Sequence, residues 1–484
     1  MGKAMRPSHE SHAQNSFVRD VSETDFATMP MISESSPWHV LADVAERSQR
    51  YLNALGERAV VPTVGALAGL RAFDVPLQSE PMSAERVINE LDAIGSPATV
   101  AIAGPRYFGF VNGGALPAAL AANWLSTAWE QHGGFQISSP ASTLLEQIAL
   151  RWVVELLALP PDCTGSFVTG TTAAHITALA TARDALLMRS GWNANADGLF
   201  GAPPVTVIVG AEAHSTLFKA LGVVGLGRAR VIRVPVDSEG RMRPDALPPL
   251  TGPTIVCVQA GNVNTGAFDP CREIIDRVRG SDVPVWVHAD GAFGLWARVA
   301  PARAHLADGI ELADSWATDA HKWLNSPYDC GIVIVRDGNA LRKTMSINAD
   351  YLPSDQSNPS DYTPEVSRRP RGVDAWAALR TLGRSGLADL VERNCRLAKR
   401  FADAFSAAGF AVLNDVVLNQ VLVSFGDAER TRHVIAAVQA DGTCWCGVTV
   451  WQGKTAMRVS VISWATTEAD VDVSIAAILR IARS

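Results

Sequence analysis

A strand-end aspartate and a lysine beside a histidine carry most of the chemical information in this chain. His288-Ala-Asp-Gly-Ala-Phe-Gly294 closes the apolar run Val283-Pro-Val-Trp-Val-His-Ala-Asp290. Successive strand side chains alternate faces, so Asp290 and Ala292 can look toward one site. Asp319-Ala-His-Lys-Trp-Leu324 follows Ala313-Asp-Ser-Trp-Ala-Thr318 and puts Lys322 32 positions after Asp290 (322 − 290). An acid at a strand end, a small residue two further on and one later lysine suit pyridoxal phosphate. Asp290 would keep the pyridine nitrogen protonated, making the ring an electron sink. Ala292 would pack flat beneath the ring, and Lys322 would carry the aldehyde as a Schiff base. Each residue also has a plainer reading, Asp290 as a helix N-cap and Lys322 as a surface lysine. His321 and Trp323-Leu324 are poor company for a solvated lysine, and a partly apolar pocket lowers a lysine pKa as imine chemistry needs.

Two further stretches could complete such a site. Gly165-Ser-Phe-Val-Thr-Gly-Thr-Thr-Ala-Ala-His175 reads as strand, glycine turn and helix start. Thr171 and Thr172 would offer hydroxyls and backbone N–H groups to a phosphate at a helix N-terminus; simple helix capping is the alternative. The pattern is neither GxxxxGK[ST] nor GxGxxG, which weakens nucleotide readings. His214, in Glu212-Ala-His-Ser-Thr216, opens a helix after an apolar strand. Open α/β sheets hold ligands at such strand ends, so its ring could stack on a cofactor or simply cap the helix.

The elements that must position these residues alternate. Strands are expected over Gly165–Thr169, Val205–Val209, Val231–Val236, Thr254–Gln259, Val283–Asp290, Ser315–Thr318 and Gly331–Arg336, with helices such as Ala173–Met188 and Pro270–Arg279 between them. That order predicts an α/β domain with a mostly parallel sheet. Residues 1–35 are polar and read as a flexible extension. Residues 36–100 read as a helical segment, with helices over Trp38–Leu55 and Ala84–Ile94, that packs on a partner subunit. Residues 101–372 form the large domain, with a proline-dotted mobile loop at about 346–371. Residues 373–484 form an α+β small domain, with helices over Val373–Leu382, Gly386–Ala408, Arg430–Ala440 and Glu468–Ala482, and strands over Val417–Phe425, Cys446–Val450 and Met457–Ile462.

Composition narrows the partners. An apolar fraction of 48% with 19% charged residues describes a packed enzyme, and a net charge of −7 disfavours nucleic acid and anionic membrane. Seven cysteines without a CxxC pair or zinc spacing favour reduced thiols and a cytoplasmic setting. The start lacks an apolar signal core, and Arg6 stands where myristoylation wants Ser or Thr. The longest apolar run, Ala115 to Trp124, is too short to span a bilayer and reads as a buried helix.

With these residues in place, the chain resembles the group II pyridoxal-phosphate decarboxylases, which include aromatic amino acid, histidine and glutamate decarboxylases. The likeness runs from about Trp38 to the C-terminus. It is most specific in His288-Ala-Asp-Gly-Ala-Phe-Gly294, Ala320-His-Lys-Trp-Leu324 with Tyr328-Asp-Cys330, and Arg368-Arg-Pro-Arg371 leading into Ala375-Trp-Ala-Ala-Leu-Arg-Thr-Leu-Gly383. The resemblance implies fold type I, the aspartate aminotransferase-like arrangement with a seven-stranded, mostly parallel sheet, and a homodimer. It implies that Lys322 and Asp290 bind the cofactor as above, that His214 stacks on its ring, and that Thr171, Thr172 and His321 lie on the cofactor side. Thr265, in Asn262-Val-Asn-Thr-Gly266, would be a cofactor-side threonine. A mobile loop of this family carries a tyrosine acid into the neighbouring subunit's site; Tyr362 is the nearest match and Tyr351 its rival. The chain departs from the family at Tyr107-Phe-Gly-Phe-Val-Asn-Gly-Gly114 and at Asp319, where aromatic members have an asparagine near the phosphate. A carboxylate there repels phosphate unless it pairs elsewhere.

The expected reaction is decarboxylation of an L-amino acid to the amine, with Phe108, Phe110 and Trp124 favouring an aromatic substrate. The alternatives are aldehyde-forming oxidative deamination, aldol cleavage or transamination on the same scaffold, and a non-catalytic scaffold protein. No metal site is expected.

Overall fold

β-Branched and aromatic residues concentrate in seven short runs, and in the computed structural model, which describes residues 36–347 and 357–484, these pair as one sheet. The strands are β1 (Thr164–Val168), β2 (Thr206–Gly210), β3 (Ile232–Val234), β4 (Thr254–Gln259), β5 (Val285–Asp290), β6 (Ser315–Asp319) and β7 (Gly331–Val335). Their order is β1-β7-β6-β5-β4-β2-β3. Only β7 runs against its neighbours, β1 and β6; the other pairs are parallel. Every residue of β4, β6 and β7 is buried, as a sheet covered on both faces requires. All seven expected strands are present.

One face packs on the Thr171–Arg189 helix, whose Leu179, Ala182 and Leu186 meet Val207, Val209 and Ile255. The opposite face builds a core with Trp296, Trp316 and Trp323 and the helices Pro140–Leu156 and Gly372–Ala407. The latter helix breaks at Gly383, whose φ of 60° and ψ of −175° leave the helical region, close to the expected division after Leu382.

A second sheet follows: β8 (Ala411–Val412), β9 (Gln420–Ser424), β10 (Gly447–Trp451) and β11 (Lys454–Ser460), antiparallel in the order β10-β11-β9-β8. Its core gathers Phe401, Phe405, Phe425 and Val459. Phe108 belongs to this core, edge-on to Phe401 at 5.1 Å, so it is not part of a site mouth. Trp124 is displaced from that role too. It faces a groove lined by Tyr51, Leu52 and Leu91. Its helix, Pro117–Ala128, buries only Ala119 and Ser126, so the apolar run is a helix but not a buried one in the single chain.

The stretch from 357 to 371 was expected to be loose and is instead packed. Asn358 and Asp361 form a capping box around the single turn Pro359–Tyr362. Arg368 is buried with a forked pair of bonds to Glu146, at 2.7 and 2.9 Å, and donates to the carbonyls of Gly133 and Phe167. Glu146 also accepts from Gly372 N at 2.9 Å. Tyr351 lies outside the described residues.

Removing one partner of a buried pair strands the other charge. Arg368→Met is expected to destabilise the protein by about 3–5 kcal/mol, read as a lowered urea midpoint; a loss well under 1 kcal/mol would show that Glu146 is satisfied without it.

Candidate active site

The C-terminal ends of the parallel strands open into one cavity of about 800 Å³, the position where open α/β sheets receive ligands. The sequence places chemistry at each end. After β1, Gly170 lets the chain turn into the Thr171–Arg189 helix. Gly331 of β7 lies so close that a Cβ there would meet Gly170 Cα at 2.4 Å. Thr171 is thereby held at a helix N-terminus, with a buried hydroxyl that lacks a partner.

Asp319 ends β6 and is 2% exposed. Its Oδ1 accepts from Thr171 N at 2.7 Å, and its Oδ2 lies 2.9 Å from Lys322 Nζ. Burial pushes its pKa up, but the Lys322 and His321 charges and the Thr171 bond outweigh that and hold the carboxylate below its ordinary range. The expected apolar sleeve around Lys322 is therefore an ion pair, with the Phe293 ring 5.9 Å from the amine.

Asp290 ends β5. Its Oδ1 accepts from Ala292 N at 3.2 Å, and its Oδ2 lies 3.5 Å from His175 Nε2. Burial raises its pKa, but His175, His214 and the Ala292 N–H together hold it below the ordinary carboxylate range, so it is ionised. His214 caps the Ser215–Val223 helix, with Nδ1 2.7 Å from Thr216 Oγ1, and burial lowers its pKa.

Thr171, Thr172, His214, Asp290, Ala292, His321, Lys322 and Phe110 all line this cavity. Thr265 does not. It is fully buried, donates to the Glu239 carbonyl at 2.7 Å and accepts from Ala267 N, so its hydroxyl is consumed in holding its own turn. Its neighbours Val263 and Asn264 reach the cavity instead. Tyr362 is also elsewhere. It lines a separate cavity with Thr164, Phe167 and Asn358, and its hydroxyl sits 2.7 Å from Ser357 Oγ. The capping box and packing of its turn fix it there.

Arg458 is the residue the sequence reading missed. It enters the cavity from β11, where burial lowers its pKa, and one guanidinium N–H reaches the Val263 carbonyl at 3.3 Å. Among the described residues no carboxylate pairs with it within 4 Å. The available signal was one arginine inside the apolar strand Met457–Ile462. Phe110 and Val111 adopt positive φ, 51° and 61°, which is costly for a β-branched valine. The turn leaves Phe110 62% exposed at the cavity, its ring stacked on Trp445 at 5.4 Å.

The donor set suits a phosphorylated aldehyde with a basic ring nitrogen. An unpartnered hydroxyl lies at a helix N-terminus, a lysine stands beside it, a small alanine lies between, and an ionised carboxylate marks the far end. Residues 68–426 match the pyridoxal-dependent decarboxylase conserved domain. The chain belongs to the pyridoxal-dependent decarboxylase family. As a family member it uses pyridoxal phosphate to decarboxylate an amino acid. It is 30% identical to tryptophan decarboxylase 1 of Oryza sativa subsp. japonica over 456 residues, covering 85% of this chain and 87% of that one. It is 26% identical to phenylacetaldehyde synthase of Arabidopsis thaliana, covering 81% and 84%. Its fold matches the crystal structure of Oryza sativa TDC with PLP and tryptamine at a TM-score of 0.85 and 24% identity, covering 94% of this chain and 99% of that one. These matches bear out fold type I.

Asp319 has a folded-state pKa below its unfolded value, so its contribution to stability is complete above about pH 4 and is lost as the pH falls through the depressed value. The stability gap between wild type and Asp319→Asn is therefore expected to be widest near neutrality and to close on acidification. Urea midpoints across pH check this; a gap independent of pH would mean that Asp319 carries no such charge.

Proposed function

We propose that this decarboxylase acts on an aromatic L-amino acid and releases the amine and carbon dioxide. The observation that carries the reading is Phe110, turned by a strained backbone onto the cavity and backed by Trp445. A flat apolar wall of that kind suits an aromatic side chain. The names of the rice and Arabidopsis relatives agree with an aromatic substrate or product.

We assign the residue roles from their places around the cavity. Lys322 binds the cofactor aldehyde, and Asp290 faces the ring nitrogen and favours its protonated form. Ala292 leaves room for the ring, and His214 stacks on it from the other side. Thr171 and Thr172 hold the phosphate with the helix N-terminus, and His321 borders it. Arg458, without a carboxylate of its own, orients the substrate carboxylate through charge-assisted hydrogen bonds. An electron sink for the pair left by the departing carboxylate is the chemistry pyridoxal phosphate supplies when bound. The protein then has to deliver one proton to the substrate's Cα.

Two further parts of the proposal concern assembly and setting. Trp38, Val64, Val75 and Leu77 are each more than half exposed, an apolar surface on the N-terminal segment that a second copy would cover. We place the protein in the cytoplasm. All seven cysteines are free, and among the described residues no helix is long and apolar enough to cross a membrane. A homodimer would also let a loop tyrosine serve the neighbouring site, because Tyr362 lies outside its own.

The second reading is aldehyde formation, favoured by relatives named phenylacetaldehyde synthase and 4-hydroxyphenylacetaldehyde synthase and by Tyr362 standing outside the cavity. That route consumes dioxygen and water and releases carbon dioxide, ammonia and hydrogen peroxide with the aldehyde. Incubation with each standard L-amino acid, measuring carbon dioxide, amine, aldehyde and ammonia together, tests both readings. Carbon dioxide from none of the aromatic substrates would overturn the proposal.

Lys322→Ala is expected to lose the visible cofactor absorbance and the borohydride-reducible adduct while keeping its fold by circular dichroism. An adduct at wild-type level would mean that another lysine binds the cofactor. If a loop phenol delivers the proton, either Tyr351→Phe or Tyr362→Phe should move product from amine to aldehyde, because phenylalanine keeps the ring and removes the donor. An unchanged amine yield in both variants would assign the proton to another group.

A further inference from the structure

Behind the Asp290 carboxylate lies a buried run of polar groups that the proposed chemistry leaves unused. Trp286, His288 and Asp290 alternate along β5 and so share one face, the face covered by the Thr171–Arg189 helix. That helix brings in His175, and β6 brings in Ser315 beside His288. His175 and His288 are fully buried. Four contacts link the groups. Trp286 Nε1 lies 2.9 Å from Ser315 Oγ, and Ser315 Oγ lies 2.9 Å from His288 Nδ1. His288 Nε2 lies 2.8 Å from His175 Nδ1, and His175 Nε2 lies 3.5 Å from Asp290 Oδ2. The last distance is long for a hydrogen bond, and His175 Nε2 is left with no other partner.

With both imidazoles neutral, the chemistry of the two ends sets the direction of the whole run. An ionised carboxylate only accepts, and an indole N–H only donates. His175 must therefore carry its proton on Nε2, facing Asp290. A neutral ring then accepts at Nδ1, from His288 Nε2–H. His288 in turn accepts at Nδ1 from the Ser315 hydroxyl, which accepts from Trp286. Every group between the ends donates once and accepts once. Burial pushes the His288 pKa down to about 3, consistent with a neutral ring.

We propose that His175 is a positioning residue for the reaction: as the last donor of a one-way chain from Trp286 through Ser315 and His288, it aims and holds the Asp290 carboxylate toward the cofactor ring. Other ionisable groups around this carboxylate are His214 at the start of its helix, Lys322 beyond β6, Cys257 of β4 and Asp269 after it. His175 differs from these in being tied to a chain with a fixed donor direction. The inference rests on the reading of Asp290 as the carboxylate that faces the cofactor.

The test pairs a measurement on the unaltered protein with two substitutions. In the holoenzyme labelled with ¹⁵N-histidine, His175 and His288 are expected to be Nε2–H tautomers, and His288 is expected not to titrate between about pH 6 and 8. His175→Gln keeps an N–H donor at the same reach, and His175→Leu does not. The leucine variant is expected to move the pH midpoint of the bound cofactor's visible band by more than about half a unit and to lower kcat about tenfold with little change in KM; glutamine should restore most of both. Asp290→Asn is the control. If it leaves the band midpoint unchanged, the reading of Asp290 fails. If it moves the midpoint while leucine does not, only the role of His175 fails. An Nδ1–H tautomer at His175, or equal effects of leucine and glutamine confined to the unfolding midpoint, would also overturn the proposal. Should the leucine variant not fold, the tautomers and the glutamine variant decide.

Discussion

A carboxylate taken out of water must find positive charge or donors, and Asp319 finds both from separate parts of the chain. Its oxygens tie the first N–H of the Thr171–Arg189 helix to the amine of Lys322. The helix start and the lysine follow strands that are distant in sequence and separated in the sheet by β7 alone, which runs antiparallel between β1 and β6. This one side chain therefore holds the start of that helix and the Lys322 amine together at one end of the cavity. The repulsion that a carboxylate at this position would exert on a phosphate is offset in part by its pairing with Lys322.

The same logic runs at the far side of the cavity. Asp290 is also buried and ionised, but its neighbours are histidines and a backbone N–H rather than a lysine. The two acids thus differ in what they can do. One has its charge offset by an ammonium at 2.9 Å, and the other has only imidazole and amide donors at 3.2 Å or more. A parallel sheet makes this economical, since β5 and β6 are neighbours and both end at the same cavity.

The fold was largely legible because apolar β-branched runs, glycine turns and helix caps are local signals. The break at Gly383 and all seven strands of the large sheet were visible in this way. Asp290, Lys322, His214 and Thr171 were legible for a related reason: each sits at the end of a strand that could be read. What failed depended on distant packing. Phe108 and Phe110 are two residues apart, yet one is sealed in the second sheet's core and the other faces the cavity. No periodicity distinguishes them, because the chain turns through positive φ at Phe110 and Val111. Thr265 was close in sequence to cavity residues but spends its hydroxyl on its own turn. Arg458 was hidden for the opposite reason, since a strand from the other sheet delivers it.

The segment holding Phe108 has one more property. Tyr107 bridges to Trp445 in parallel, Phe108 N donates to the Trp445 carbonyl at 2.9 Å, and the Phe108 carbonyl accepts from Ser460 N at 3.0 Å. An early stretch of chain thus serves as an extra strand between two very late ones. During synthesis on a ribosome, its partners do not exist until the chain has emerged as far as Ser460. The large sheet can assemble first, but the wall bearing Phe110 has nothing to dock on until then. On this topology the wall bearing Phe110 is completed by the second sheet, later in synthesis than the strands of the large sheet.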